Sequence, residues 1–236
     1  MHRRSIVLGL AAALLAGVVQ AQAPAASGAN SGLPFAAEIA SFVETDKASP
    51  PKTCETLLVG SSSIRFWTTA QADLAPLIVI NRGFGGSQID DVNLYFDTVV
   101  TPYRPRRIVF YAGDNDIDAR KTPDQVFRDF ETFMALKTAK LGETPVYVIS
   151  VKPSKLRFAQ LEAQAEVNAK LKALAAERAD LVYVDVVTPM MDGPEPRDIF
   201  IADGLHMTPE GYAIWTRAIK PVLTAAPPTR APGCPA

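Results

Sequence analysis

Histidine is nearly absent from this chain of 236 residues, which has only His2 and His206. A metal site built from several histidines is therefore excluded, and we expect neither a metal nor another cofactor. His2 lies in an N-terminal segment with the features of a removable leader. Any histidine chemistry must then use His206.

An excess of charge of either sign is also missing. The 24 Lys and Arg residues nearly balance the 25 Asp and Glu residues, and the formal charge at pH 7 is −1. Such a chain has no net positive field to hold a phosphate backbone, so nucleic acid is not an expected partner. The 48% of hydrophobic residues and the modest Gly and Pro content are typical of globular proteins and exclude collagen, coiled coils and disordered chains.

A hydrophobic run long enough to cross a membrane is missing as well. The apolar run from Ile6 to Val19 has 14 residues, whereas a spanning helix needs about 20. Arg3 and Arg4 precede this run and small residues follow it, which predicts a secretory signal peptide cleaved after Ala21. A retained membrane anchor is the alternative. Cleavage gives an exported protein, periplasmic or secreted, in an oxidising compartment and without stable membrane insertion.

Composition divides the chain into four parts. The signal peptide covers residues 1–21, and residues 22–34 are mostly Ala, Ser, Gly, Pro and Asn, which predicts a flexible linker. Residues 35–224 are expected to form one folded domain. A Pro-rich tail follows at 225–236.

Short apolar runs rich in β-branched residues alternate with helix-like segments along the domain. Buried strands separated by helices predict a three-layer α/β/α sandwich around a five-stranded parallel sheet. The predicted strands are Thr56–Val59, Leu77–Ile80, Arg107–Tyr111, Val146–Ile149 and Leu181–Val184, and the predicted helices cover residues 36–48, 89–100, 123–140, 156–178 and 209–224.

Small and polar residues follow four of the predicted strands. Any one of these clusters is typical of an ordinary turn. Ligands of open α/β sheets bind beyond the carboxyl ends of the strands, however, so four clusters at that edge predict a functional site. The clusters are Gly60–Ser63, Asn81–Ser87, Ala112–Asp116 and Lys152–Ser154.

The residue types that hydrolysis by a serine nucleophile requires are present in the chain. Asp203 precedes His206 by three residues, so its carboxylate can orient the imidazole ring. The candidate nucleophiles are Ser61, Ser62 and Ser63. They are not in a G-x-S-x-G motif, which disfavours an ordinary α/β-hydrolase. For His206, a structural role near a helix start is the alternative.

Four sequence blocks resemble the SGNH, or GDSL, hydrolase family. That family has Gly-x-Ser after the first strand, Gly after the second, Gly-x-Asn after the third and Asp-x-x-His before the last helix. Within residues 57–212 this chain has, in the same order, Gly60-Ser61-Ser62, Gly83-Phe84-Gly85-Gly86, Gly113-Asp114-Asn115 and Asp203-Gly204-Leu205-His206. The second block is most similar to the platelet-activating-factor acetylhydrolase-like branch. The resemblance implies the flavodoxin-like fold of SGNH hydrolases.

The resemblance also implies a role for each matched residue. It makes Ser62 the nucleophile, His206 the base and Asp203 the carboxylate that orients the base. The implied oxyanion hole consists of the backbone N–H groups of Ser62 and Gly86 and the side-chain amide of Asn115. Glycine lets a backbone approach the reacting carbonyl, and an amide donates a hydrogen bond without changing its own charge. Because Ser61 stands where the family name has Asp, the choice between Ser61 and Ser62 depends on the alignment.

These roles imply an exported serine esterase that acts on a small ester or an acetylated glycan through an acyl-enzyme. No long apolar insertion is left between the blocks to form a lid or an acyl tunnel, which favours short acyl groups. Two alternatives remain open. The same site would serve an O-acyltransferase acting on glycans, or a catalytically inactive glycan-binding module.

Three basic residues near the blocks have more than one interpretation. Lys152 and Arg157 follow the fourth strand and are candidate contacts for an anionic substrate, with solvated side chains as the alternative. Arg65, which lies one helical turn beyond Ser62, is expected to pack against or pair with an acid such as Asp90 or Asp91.

The two cysteines, Cys54 and Cys234, are expected to form a disulfide. Cys54 precedes the first strand, at the edge of the sheet opposite the predicted site. The last helix begins at the site and runs back for about 24 Å, at 1.5 Å per residue, so the tail emerges near Cys54. Export makes oxidation of the pair favourable.

Overall fold

The structure of the chain is a computed structural model, which describes residues 32–227 and 229–235. The predicted signal peptide and the predicted linker up to residue 31 lie outside the described residues. Of the helices in the described ranges, none is long and apolar enough to span a membrane.

The centre of the protein is a five-stranded sheet in which every pairing is parallel. The strand order is β2-β1-β3-β4-β5, which confirms the predicted fold class. In the register, Gly60 at the end of β1 lies beside Gly83 and Tyr111, so three strands end side by side and their loops leave the same edge. The strands are β1 (Thr56–Gly60), β2 (Val79–Gly83), β3 (Arg107–Tyr111), β4 (Val146–Ile149) and β5 (Leu181–Val184).

Helices cover both faces of this sheet because both faces are apolar. Side chains alternate along each strand, so Leu57 and Val59 face one hydrophobic core and Leu58 faces the other. The first core packs against α1, α4, α5, α7 and α8, and the second against α2, α3, α9 and α10. The helices are α1 (Ala36–Ala48), α2 (Ser62–Arg65), α3 (Ala70–Asp73), α4 (Ile89–Leu94), α5 (Phe96–Val99), α6 (Asp114–Asp118), α7 (Pro123–Leu141), α8 (Leu161–Glu177), α9 (Val187–Met190) and α10 (Pro209–Thr224).

The order of the strands reverses between β1 and β3. From β1 the chain goes to β2 on one side, and then crosses to β3 on the other side. The loops after β1 and β3 therefore diverge at their carboxyl ends and leave a crevice, which is where open α/β sheets bind ligands. Ser62 and Asn115 follow these two strands directly.

Three predicted elements differ from the structure by more than one residue. The second strand is Val79–Gly83 rather than Leu77–Ile80, and it begins later because the Leu77 N–H still bonds to Leu74 in the turn after α3. The helix predicted for 89–100 is divided at Tyr95 into α4 and α5. The helix predicted for 156–178 begins only at Leu161, after an irregular segment and a short 3₁₀ turn.

The C-terminal tail is fixed to the edge of the sheet opposite the crevice. A disulfide joins Cys54 to Cys234, with a Cα–Cα distance of 5.5 Å. The Thr229 hydroxyl donates to the Glu143 carbonyl at 2.5 Å, and Ala231 is buried. The direction of α10 thus brings the tail back to the start of β1, as the sequence predicts.

Removal of the disulfide is expected to lower stability without lowering activity. The bond closes a loop with a sequence separation of 180, for which chain entropy sets a ceiling of about 5 kcal/mol. We expect Cys54→Ser/Cys234→Ser to shift the urea unfolding midpoint downwards. Its kcat should stay at the wild-type value, because the bond lies at the far edge of the sheet. An unchanged midpoint would contradict the prediction.

Candidate active site

Ser62 is placed at the crevice by the tight turn between β1 and α2. At Gly60 the backbone has φ +135°, and an added Cβ would lie 1.8 Å from the Tyr111 carbonyl oxygen, so only glycine fits beside β3. The next residue, Ser61, donates its N–H to the same carbonyl at 2.9 Å. Ser62 begins α2 and keeps 8% of its surface exposed, whereas Ser61 is fully buried with an unpartnered hydroxyl.

The Ser62 hydroxyl contacts a histidine that is 144 residues away in the sequence. Its Oγ lies 3.0 Å from His206 Nε2, and His206 Nδ1 lies 2.5 Å from Asp203 Oδ2. The other oxygen of Asp203 accepts the backbone N–H groups of Leu205 at 2.8 Å and of His206 at 2.9 Å. The structure therefore brings together the serine, histidine and aspartate that the resemblance selects.

The electrostatics of Asp203 determine which ring nitrogen carries the proton. Burial by itself raises its pKa, but the hydrogen bonds from the His206 ring and from two backbone amides outweigh burial and lower the pKa to about 2. The carboxylate is therefore ionised at neutral pH and accepts a hydrogen bond from the protonated Nδ1 of His206. The lone pair of Nε2 then faces Ser62.

The amide of Asn115 reaches the crevice from the loop after β3. Its Nδ2 donates one hydrogen to the Ser87 carbonyl at 2.9 Å, and a side-chain amide has a second N–H to offer. Gly86, in the loop after β2, has φ +77°, a conformation that favours glycine. The buried Asp116 ties these loops together by accepting the Ile89 N–H at 3.1 Å.

Three acidic residues beside this site have the spacing of a metal cluster. Oxygens of Asp90, Asp116 and Asp129 lie within 4.8 Å of one another. The ammonium of Lys121 lies within 3.1 Å of each of the three carboxylates. Lys121 thus supplies the positive charge that a cation would bring.

The side chains of Lys152 and Arg157 are buried, whereas basic residues that follow a strand usually have solvated side chains. The Lys152 side chain is fully buried, and its ammonium donates to the Leu205 carbonyl at 2.9 Å. Arg157 is nearly buried, with Nη1 at 3.1 Å from Asp114 Oδ2. Lys152 therefore lies beneath the Asp203–His206 loop and offers a substrate no exposed surface.

Arg65 pairs with an acid, as expected, but the named partners Asp90 and Asp91 are wrong. Arg65 Nε lies 3.2 Å from Glu38 of α1 instead. The Glu38 carboxylate also accepts the Gly85 N–H at 3.3 Å, directly before Gly86. No local sequence signal reveals the contact between Glu38 and Gly85, because these residues are 47 positions apart.

Phe66 is a further neighbour of the site that sequence reasoning missed. Its ring packs edge to face against the His206 ring, with 4.8 Å between centroids, and the side chain is 45% exposed. An aromatic residue after a short helix has no distinguishing pattern in the sequence. Its position beside the imidazole is seen only in the structure.

Residues 53–214, more than half of the chain, match the model of the GDSL-like Lipase/Acylhydrolase family. The protein belongs to this family. The matched range contains all four blocks and the three residues in contact at the crevice. As a member of the family, the protein is a carboxylic-ester hydrolase, as the resemblance implies. No curated protein matches it.

Solved structures share the fold of this GDSL hydrolase. A protein from Streptococcus pneumonia, provisionally described as a platelet activating factor, superposes with a TM-score of 0.70 at 18% identity, covering 78% of this chain and 90% of that one. A GDSL-like lipase from Bacteroides thetaiotaomicron has a TM-score of 0.64 at 23% identity, covering 78% and 97%. An acetyl-xylooligosaccharide esterase from Geobacillus Stearmophilus has a TM-score of 0.55 at 14% identity, covering 71% and 93%. At these identities the likeness shows the fold alone.

Proposed function

We propose that the protein is an exported serine esterase that hydrolyses acetyl and other short-chain esters through an acyl-enzyme on Ser62. One observation carries the proposal: an unbroken contact path from Ser62 Oγ to His206 Nε2 at 3.0 Å and from His206 Nδ1 to Asp203 at 2.5 Å. This is the arrangement that a serine nucleophile, its base and an orienting carboxylate require.

In the first half-reaction Ser62 attacks the ester carbonyl while His206 accepts the hydroxyl proton. Negative charge develops on the carbonyl oxygen, which faces the N–H groups of Ser62 and Gly86 and the amide of Asn115. Ser62 is the first residue of α2, where a backbone N–H has no acceptor within the helix. His206 then returns the proton to the leaving alcohol, and the bond between acyl group and alcohol breaks.

In the second half-reaction water replaces the alcohol. His206 removes a proton from the water as it attacks the acyl-enzyme, and the same donors stabilise the second oxyanion. Ser62 takes the proton back from His206 as the carboxylic acid leaves. The cycle needs no redox change and no group beyond the residues already described.

Export is proposed from two independent features. The N-terminus has the basic, apolar and small-residue pattern of a signal peptide. The Cys54–Cys234 disulfide is of the kind that persists in oxidising compartments. Detection of a mature N-terminus at Gln22 in the periplasm or the medium would support export, and an intact N-terminus in the cytoplasm would contradict it.

A short acyl group is proposed because the reacting residues lie at an open edge. The side chains of His206 and Asp203 are 22% and 40% exposed. A long acyl chain gains about 0.8 kcal/mol per methylene only where the protein buries it. An open edge suits a small acyl group on a bulky alcohol such as a sugar. One solved structure with the same fold is described as an acetyl-xylooligosaccharide esterase, a protein that acts on such an ester.

The kcat/KM for p-nitrophenyl esters is expected to be highest from acetyl to butyryl and to fall steeply beyond about eight carbons, because an open edge leaves the methylenes that follow largely in water. Initial rates across the ester series measure this. A flat or rising profile out to palmitoyl would contradict the proposal and indicate a lipase.

Product analysis separates hydrolysis from the two alternatives. With an acetylated glycan as donor and an unacetylated one as acceptor, the proposal predicts free acetate as the main product. Acetyl groups recovered on the acceptor would indicate an O-acyltransferase. The absence of both products, together with glycan binding, would indicate an inactive module.

A further inference from the structure

In the loop between Asp203 and His206, both central peptide groups are hydrogen-bonded through their N–H and through their C=O. The Leu205 N–H and the His206 N–H both donate to Oδ1 of Asp203, at 2.8 and 2.9 Å. On the opposite side, the carbonyls of the same two peptide groups belong to Gly204 and Leu205. Each of these carbonyls accepts a hydrogen bond from one segment of the chain.

That segment is residues 152–157, which we call the strap. The Leu156 N–H donates to the Gly204 carbonyl at 3.0 Å. The Lys152 ammonium donates to the Leu205 carbonyl at 2.9 Å. The strap therefore fixes the outer end of each peptide group whose inner end donates to the Asp203 carboxylate.

The ammonium of Lys152 is held in place by its surroundings. Its side chain has no exposed surface, and its Nζ lies 4.0 Å from Asp114 Oδ2 and 5.6 Å from the centroid of the Phe200 ring. Arg157, at the other end of the strap, contacts the same carboxylate oxygen at 3.1 Å. Asp114 directly precedes Asn115, so the strap joins the loop of the candidate oxyanion donor to the loop of the histidine.

A hydrogen bond to a carbonyl increases the donor strength of the N–H on the same peptide group, because the two groups share one polarised amide. The effect is larger when the donor to the carbonyl is charged, as an ammonium is. Lys152 is thus connected to Asp203 through a single peptide group. Its C=O belongs to Leu205 and accepts from Lys152, and its N–H belongs to His206 and donates to Asp203.

We propose that Lys152 is a positioning residue, whose bond to the Leu205 carbonyl orients the Asp203 carboxylate and thereby keeps the His206 proton on Nδ1. The catalytic consequence rests on the proposed function. The tautomeric consequence does not, because it concerns the resting protein and needs no substrate.

Lys137 provides a matched control for a purely structural role. Its side chain is also fully buried. Its ammonium likewise donates to a backbone carbonyl, that of Gly142, at 2.9 Å, and pairs with Asp180. Lys137 lies in α7 near the opposite edge of the sheet and contacts no residue of the candidate site. Lys137→Met therefore removes the same chemistry from a different place.

The experiment measures the His206 ring in the full chain by ¹⁵N NMR. His2→Gln is included in every variant, so that His206 is the only histidine. With Lys152 present we expect one tautomer, protonated on Nδ1. In Lys152→Met we expect ¹⁵N shifts that indicate a mixture of tautomers. In Lys137→Met we expect a lower unfolding temperature and an unchanged tautomer.

The kinetic arm uses the same variants with an acetyl ester. Lys152→Met should lower kcat on the order of 10- to 100-fold and should leave KM within about twofold. This loss is smaller than the loss of about 10⁴-fold in kcat that follows when the orienting aspartate itself is altered in a serine protease. Lys152→Gln, which keeps a donor on a shorter side chain, should lie between Lys152→Met and the parent. Lys137→Met should have the parent's kcat.

Three results would overturn the proposal. The first is a Lys152→Met protein with the parent's tautomer and kcat. The second is equal effects of Lys152→Met and Lys137→Met on kcat. The third is failure of both Lys152 variants to fold, which would assign Lys152 to the fold alone. A Ser62→Ala protein that still turns over would instead contradict the proposed function, and would leave the tautomer result standing.

Discussion

Ser62→Ala is expected to lower kcat on the order of 10⁴- to 10⁶-fold, which is the loss found when a serine nucleophile is removed from such a triad. The reason is geometric as well as chemical. Ser62 Oγ is 3.0 Å from His206 Nε2, and alanine leaves no oxygen there to form the acyl-enzyme. The measurement is the initial rate of acetyl ester hydrolysis, with the unfolding temperature as a check that the variant folds.

Ser61→Ala is the matched control, since it removes the same hydroxyl one residue earlier. The Ser61 side chain is fully buried and its Oγ has no hydrogen-bond partner. Its loss is expected to leave kcat within a few fold of the wild-type value. A protein that loses activity with Ser61→Ala and keeps it with Ser62→Ala would contradict the assignment of the nucleophile.

Asn115→Ala is expected to lower kcat on the order of 100- to 1000-fold with little change in KM. The amide matters most when negative charge develops on the carbonyl oxygen, so its removal raises the barrier more than it weakens substrate binding. The bond from Asn115 to Ser87 at 2.9 Å fixes one hydrogen and directs the amide to the crevice. Both kinetic constants are measured with an acetyl ester.

Asn93→Ala controls for the structural part of this effect. The Asn93 amide also donates to a backbone carbonyl, that of Asp129, at 2.9 Å, but it lies in α4 away from the reacting residues. We expect its loss to lower the unfolding temperature and to leave kcat unchanged. If Asn115→Ala raised KM alone, the amide would be a ground-state contact and not an oxyanion donor.

Three of the five strands were predicted with both ends correct. Arg107–Tyr111, Val146–Ile149 and Leu181–Val184 begin and end as predicted, because continuous β-branched and aromatic runs mark them and turn residues flank them. The start of β2 was not predicted correctly. Leu77 and Ile78 are as apolar as strand residues, and yet they precede the strand, with the Leu77 N–H still bonded in the turn after α3. Apolar character alone does not distinguish a buried turn from a strand end.

The selection of candidate site residues depended on two kinds of information. Their position after strands follows from the pattern of the chain, and the parallel sheet then places them at one edge. The choice of Ser62 over its neighbours depended on the family resemblance, and the structure adds the contact to His206. Local pattern could not provide that contact, because the two residues are 144 positions apart.

The supporting contacts of Glu38 and Lys152 could not be predicted from the sequence, although Lys152 itself was a candidate substrate contact. Glu38 and Lys152 carry ordinary charged side chains in ordinary segments, and their partners Gly85 and Leu205 are 47 and 53 positions away. Burial of a lysine is rare unless it is paired, so a sequence favours the solvated interpretation. The paired state depends on tertiary packing that no single segment specifies.

Labelling of the protein with a serine-reactive fluorophosphonate, with the adduct located by mass spectrometry, shows directly whether Ser62 is the nucleophile. After reduction and alkylation, trypsin releases one peptide from Thr53 to Arg65 that contains all three serines of the turn. We expect fragment ions that place the phosphonyl group on Ser62, with no labelling of Ser62→Ala. An adduct on Ser61 or Ser63, or a folded protein that takes up no label, would contradict this assignment.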